Sequence, residues 1–427
     1  MRISRRIFYL LIAIALGIGA LHWRRGHSRA HGSMPQQAYV WQRSWTPAVN
    51  NAVSPTSNFT AYVVLAGEVS FRSGNYDAVR VAINYDSLKR AAVPVGLALR
   101  IGPYGGRFSG DDPVAAKLAE FAASLLADAK NAGVQPAELQ IDFDCADSKL
   151  AGYKTWLDAI TRRAAPVRVT FTALPSWLSQ PQFPELARAA GGYVLQVHSL
   201  QRPQSIDAPM TLCDPVATRS AIEAAGRIGV PFRVALPTYG YLVAFNAHGH
   251  FEGLAAEGSA ITWPAGALVR RLCADPAAMA ALVRDWTADR PRCMIGIIWY
   301  RLPVSDDALN WRMATLQAVM AGRTPLPKLV AQVVQTEPAL YEVQLCNAGD
   351  ADAPLNSQVV AKWEGTDLIA ADAIGGFEMN QQPTQIVVRP SAESGLDRLE
   401  PGGRRTIAWL RFSRDKEVHA DVSPITP

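Results

Sequence analysis

In the stretch Ala137-Glu138-Leu139-Gln140-Ile141-Asp142-Phe143-Asp144-Cys145-Ala146, apolar Leu139, Ile141 and Phe143 alternate with Gln140, Asp142 and Asp144. That period of two marks a strand with unlike faces, one wholly apolar and the other Gln-Asp-Asp. Long amphipathic segments precede and follow it, so both faces of the strand should be covered. Carboxylates seldom enter a covered face unless they are paired or in use. Either the two acids line a site, or they form a buried pair that Arg or backbone N–H groups hold to fix the strand end.

Working outward, the same alternation of strand and helix recurs. Strands are expected at Ala38–Trp41, Ala61–Val69, Val95–Ile101, Gln140–Asp144, Val167–Ala173, Gly192–His198, Phe232–Pro237 and Met294–Trp299. A helix opening at Asp112-Pro113 buries Val114, Leu118, Phe121 and Leu125; another from Ser148 to about Arg163 buries Leu150, Tyr153, Leu157 and Ile160. Further helices are expected at Pro184–Ala190, Pro215–Gly229, from Asp275-Pro276, and at Asp307–Gly322, and a long insertion follows Pro237. Eight strands, most followed by a helix, point to a (β/α)8 TIM-type barrel over residues 36–323. A doubly wound open sheet is the competing fold. The strand count and the missing nucleotide fingerprint favour the barrel: Gly102-Pro103-Tyr104-Gly105-Gly106 lacks the P-loop Lys and the dinucleotide spacing.

From Leu326 the pattern changes. Lys328–Val334, Leu340–Cys346, Gln358–Trp363, Thr384–Val388 and Thr406–Phe412 are strand-like runs between Gly, Asp, Asn and Pro turns, which predicts a small all-β sandwich over 328–427. Arg323-Thr324-Pro325-Leu326-Pro327 would be the linker.

The formal charge of +5 is misleading until it is located. Residues 1–30 hold Arg2, Arg5, Arg6, Arg24, Arg25 and Arg29 and no acid, and without them 36 basic residues face 37 acidic ones. A nucleic-acid partner is therefore not expected. Arg2–Arg6 precede an apolar run, Ile7–Leu21, so residues 1–30 read as a signal peptide or an N-terminal anchor in the inner membrane, and the protein as periplasmic, membrane-anchored or secreted. Export would permit disulfides; with five cysteines, Cys273–Cys293 and Cys145–Cys213 are the guesses, and spacing cannot fix the connectivity.

In a barrel of this kind the active face is the C-terminal end of the strands. The residues expected there are Asp142, Asp144 and Glu68 as candidate catalytic groups. Trp41, Arg100, Tyr104, His198, Tyr239, Trp299 and Arg301 are the candidate substrate-binding groups. Acids, a His, arginines and aromatics in one mouth suit a sugar, whose apolar faces stack on rings while its hydroxyls meet charged groups. Repulsion and burial would raise the pKa of one acid of the Asp142/Asp144 pair, and Glu68 could supply a second working carboxylate. No cofactor and no metal are expected, since His248-Gly249-His250 lacks a carboxylate or Cys at ligand spacing. The absence of a G-x-S-x-G elbow argues against a serine hydrolase.

Ile141-Asp142-Phe143-Asp144 resembles part of the chitinase-type family 18 motif, in which alternating acids end in a catalytic Glu; that position falls on Ala146 here. A closer resemblance is to the bacterial domain-of-unknown-function family 3142. It is carried by Gln140-Ile141-Asp142-Phe143-Asp144-Cys145 with Leu150 and Tyr153, by Leu99-Arg100-Ile101-Gly102, and by Gln196-Val197-His198, over roughly residues 38–320. The resemblance implies a glycosidase-like barrel and no particular activity. Two functions follow as expectations. One is an exported hydrolase acting on an envelope or extracellular polysaccharide. The other is a non-catalytic glycan-binding or envelope-assembly protein on a degenerate glycosidase barrel.

Overall fold

The computed structural model describes residues 28–55, 58–72, 75–108, 113–256, 262–392 and 398–425. The basic and apolar leader through position 27 lies outside the described residues. Arg29–Ala30, which the sequence assigns to the leader, pairs antiparallel with Arg290 and Pro291. Among the described residues no helix is long and apolar enough to cross a membrane.

Eight parallel strands close on themselves. They are β1 (Gln36–Val40), β2 (Tyr62–Arg72), β3 (Val95–Ile101), β4 (Pro136–Phe143), β5 (Arg168–Ala173), β6 (Tyr193–Gln196), β7 (Phe232–Pro237) and β8 (Met294–Tyr300). Each pairs with the next in sequence, and β8 pairs with β1, so the sheet has no free edge. This is the (β/α)8 barrel that the alternation predicts, with all eight strands where the periodicity puts them. The hairpin strand Asn75–Arg80 adds antiparallel to the end of β2.

Strand period two sorts the side chains. Tyr39 on β1 and Trp41 just after it, Val63 and Leu65 on β2, Ala98 on β3, Val194 on β6, Ala235 on β7 and Ile298 on β8 form one inner cluster. Outward residues meet the helices: Phe143 packs its ring on Tyr153 and Trp156 of the helix Leu150–Ala164. Two helices start as Pro at the first position dictates, with Asp214 and Asp275 capping Pro215–Ile228 and Pro276–Ala288. A register shift between Leu65 and Gly67 inserts one residue into β2, so that Gly67 points outward. A Cβ there would sit 2.9 Å from the Phe121 ring, which explains the glycine.

The polar inner face of β4 extends below the two aspartates. Glu138 forms a buried ion pair with Arg233 of β7 (2.6 Å), Arg233 also donates to Gln37 (2.6 Å), and Thr170 donates to Glu138 (3.1 Å). This network fills the N-terminal end of the barrel. The insertion after β7 is ordered as a three-stranded antiparallel sheet of Gly240–Phe245, Phe251–Ala255 and Leu268–Cys273. Sequence periodicity does not show it, because two of its strands are largely exposed and carry no apolar alternation.

The chain divides into two compact units, the first running through Trp311 and including Met320–Gly322. Residues 312–319, which the alternation assigns to the barrel, group with the second unit. That unit contains two four-stranded antiparallel sheets. Tyr341, Val343, Leu410 and Phe412 from one, and Val359, Trp363, Ile386 and Val388 from the other, share a single core, which makes it a β-sandwich. Leu368–Ala373, Phe377–Gln382 and Val418–Pro424 are strands beyond those that the sequence reading assigns.

All five cysteines are free, which corrects the disulfide expectation. Each sulfur has its own neighbour: Cys213 lies 3.3 Å from the Thr218 hydroxyl, Cys293 lies 3.4 Å from the Gly226 carbonyl, and Cys273 accepts from Arg271 at 3.2 Å.

Candidate active site

A cleft of about 290 Å³ opens at the C-terminal mouth of the barrel. Asp142 and Asp144 form one wall with Arg100, and Tyr39, Trp41, Tyr239, Tyr241, Tyr300 and His198 line the rest. Its size is at the lower end of ordinary small-molecule sites, about 300–1,000 Å³.

The two acids are placed by the parity of β4. Gln140, Asp142 and Asp144 follow one another up its inner face; Gln140 is fully buried, Asp142 half-buried, and Asp144 open to the mouth. Thr172 on β5 donates to Asp142 (2.8 Å). Burial, followed by the negative charge of Asp144, pushes the Asp142 carboxyl up to about 6, against the opposing pull of Thr172 and Arg100. Asp144 is also raised, by burial first, with Arg100 drawing it back. Below them Tyr39 donates to the Gln140 side-chain oxygen, while the Gln140 amide nitrogen has no partner.

The facing wall is uncharged. Burial holds the His198 imidazole down at about 3, so it is neutral at ordinary pH. Its ring stacks on Tyr300 (5.1 Å between centroids), and its Nδ1 lies 3.4 Å from the Tyr239 hydroxyl. The buried Trp41 indole N–H has no partner, and buried donors normally have one.

Of the candidates read from sequence, Asp142, Asp144, Trp41, Arg100, His198 and Tyr239 line the cleft. Four do not. Glu68 is held by Arg43 through two hydrogen bonds of 2.7 and 2.8 Å. Tyr104 sits in an aromatic cluster with Phe71, Phe108 and Trp156, its backbone carbonyl accepting from Lys149 (3.1 Å). Trp299 faces outward, fully buried, and donates to Gln36 (2.9 Å). Arg301 is buried on Asp307 (2.5 Å). Arg100 makes no hydrogen bond or ion pair with either aspartate and bears on them only through its field.

The cleft residues that sequence reasoning misses are Tyr39, Thr172, Gln196, Tyr241 and Tyr300. Tyr39 and Gln196 precede Trp41 and His198 by two positions, so period two alone could have found them. Ala146 is also instructive: it does not line the cleft, and the last inward carboxylate of this stretch is Asp144. An alanine at 146 therefore leaves the mouth with an acid.

Residues 107–305 match the family model described as Domain of unknown function (DUF3142). The DUF3142 match begins after β3, so it is shorter than the resemblance over residues 38–320 suggests, and it holds Asp142, Asp144 and His198 but not Trp41 or Arg100. Residues 330–413 match a second model, Domain of unknown function (DUF8456).

No curated protein matches the chain. Among solved structures, the chain is similar to the Bacillus megaterium spore cortex-lytic enzyme SleL at 13% identity and a TM-score of 0.46, covering 69% of this chain and 75% of that one. The Bacillus cereus SleL compares at 12% identity and a TM-score of 0.47, with 69% and 75% covered. The Flavobacterium johnsoniae GH18 chitinase ChiB compares at 11% identity and 0.43, with 68% and 94% covered.

Proposed function

We propose that this protein is an exported, carbohydrate-active hydrolase that cleaves glycosidic bonds in an envelope or extracellular polysaccharide. The observation that carries the reading is the Asp142/Asp144 pair at the barrel mouth, with Asp142 raised to about 6 by burial and by its neighbour. Two carboxyls that resist losing both protons give one group able to donate and one able to carry charge near neutral pH. Asp142, the more strongly raised and held by Thr172, keeps the proton and donates it to the leaving oxygen; Asp144, open to the cleft, carries the compensating charge. Water adds to the anomeric carbon as the glycosidic C–O bond breaks, and its proton returns to the pair. Tyrosines and a neutral His on the facing wall suit sugar hydroxyls and ring faces. The basic, apolar leader supports export.

A second reading, a non-catalytic glycan-binding or envelope-assembly protein, is favoured by one specific feature. Among the described residues no carboxylate lines the wall opposite Asp142 and Asp144, where glycosidases commonly place their second acid. Purified protein incubated with a panel of bacterial exopolysaccharides, with reducing ends measured, separates the two. The hydrolase reading expects released ends and a loss of at least about 10²-fold in Asp144→Asn, the scale of a missing general acid or base. No released ends from any glycan that measurably binds would leave the binding protein.

A further inference from the structure

Arg100 is the only cation among the described residues lining the cleft, His198 being neutral. It is exposed, and among the described residues its guanidinium makes no hydrogen bond or ion pair. Two acids stand beside it in register, Glu68 on β2 and Asp142 on β4. Both are engaged elsewhere, Glu68 with Arg43 at 2.7 Å and Asp142 with Thr172 at 2.8 Å.

We propose that Arg100 receives the carboxylate of an acidic sugar, so that the glycan taken by this cleft contains uronic acid units. The proposal rests on the carbohydrate reading above and narrows its substrate class. An arginine serving only as counter-charge to Asp142 or Asp144 would lie within ion-pair distance of one of them, and this one does not. Neutral hydroxyls have partners enough without it in Tyr239, Tyr241, Gln196 and Ser199. A planar, permanently charged fork of donors left open in a cleft is the group that matches a carboxylate with two parallel bonds. Asp142 and Asp144 repel an anion, so an acidic sugar that binds here must do so through Arg100, and added salt should weaken it.

The test uses the full chain carrying Asp144→Asn, so that bound glycan is not turned over. Oligomers of galacturonate, glucuronate and mannuronate are titrated calorimetrically, each beside its carboxyl-reduced counterpart, with neutral gluco- and chito-oligomers alongside. At least one acidic oligomer should bind about tenfold or more tighter than its reduced form, the scale of a charge-assisted contact. Adding Arg100→Met should abolish that preference, and Arg100→Lys should restore part of it, with melting curves showing both variants folded. Equal binding of acidic and reduced forms, or equal weakening of both by Arg100→Met, would overturn the proposal while leaving the carbohydrate reading standing. So would binding of neutral oligomers alone. If no oligomer of any kind binds, the carbohydrate reading falls and the proposal with it.

Discussion

Arg100 and Asp142 stand directly opposite each other on β3 and β4, yet form no ion pair. Asp142 thus keeps a repelling neighbour, Asp144, on its own strand and gains only the field of Arg100 and one hydroxyl in return. The outcome is a carboxyl with a raised, not a lowered, pKa.

That sign has a consequence for stability. An acid at about 6 in the folded chain and near 3.8 unfolded binds more protons folded than unfolded between those values. Stability therefore falls as pH rises through that window, by up to about 3 kcal/mol from this group. Asp142→Asn keeps the shape and can still accept from Thr172. It should be more stable than the parent at pH 7.5, with the difference shrinking towards pH 4. Urea unfolding at the two pH values measures this; a variant less stable at pH 7.5 would show that Asp142 is stabilised as the anion.

Trp299 and Tyr300 should separate packing from binding. Trp299 is fully buried on the outer face of β8, so Trp299→Ala should cost about 3–5 kcal/mol and leave glycan affinity per folded molecule unchanged. Tyr300 lines the cleft, so Tyr300→Phe should weaken glycan binding by about 1 kcal/mol with a smaller effect on stability. Denaturation and calorimetry on the two variants check the assignment, and reversed effects would mean that the parity of β8 is wrong.

This pair also shows how much of the molecule the sequence discloses. Apolar runs locate all eight strands and period two puts Asp142 and Asp144 on one face, because each barrel strand carries enough apolar residues to mark itself. Parity applied to Met294–Tyr300 would have chosen Tyr300 over Trp299; reading the strand end as a block does not. Glu68 is different. The bulge at Ala66 decides which way it points, and its partner Arg43 lies on another element, so no local pattern in the chain reveals that the acid is engaged. The insertion strands and two of the missed sandwich strands expose too much of their length to show alternation, whereas Val418, Ala420 and Val422 alternate with polar residues and pack against the core, so that strand was legible.

Glu68 supplies the next prediction. Held by Arg43 and outside the cleft lining, it has no reacting atom to serve. Glu68→Gln should leave turnover within a few-fold of the parent, against at least about 10²-fold for Asp144→Asn. Its ion pair is partly exposed, so stability should change by no more than about 1 kcal/mol. A reducing-end assay of the two variants in parallel decides it, and comparable losses would make Glu68 the missing second carboxylate.

At the opposite end of the barrel, Arg233 and Glu138 give a test of the buried polar plug. Both side chains are nearly inaccessible, and Arg233 holds both carboxylate oxygens of Glu138 at 2.6 and 2.7 Å. Removing one charge leaves the other nearly inaccessible in the barrel floor, at the edge of a cavity of about 250 Å³ lined by Pro94, Gly96 and Ala137. Arg233→Met should therefore destabilise by about 3–5 kcal/mol. The double variant Arg233→Met/Glu138→Leu buries no lone charge and should recover most of that loss, since a buried pair is often worth little more than well-packed apolar groups. Urea unfolding of the parent, the single and the double variants gives the coupling directly. Glycan affinity of the folded double variant should match the parent, because the plug lies at the N-terminal ends of strands whose C-terminal ends carry the cleft. A loss below about 1 kcal/mol for Arg233→Met would show that water solvates Glu138 and that the pair does not hold the barrel floor.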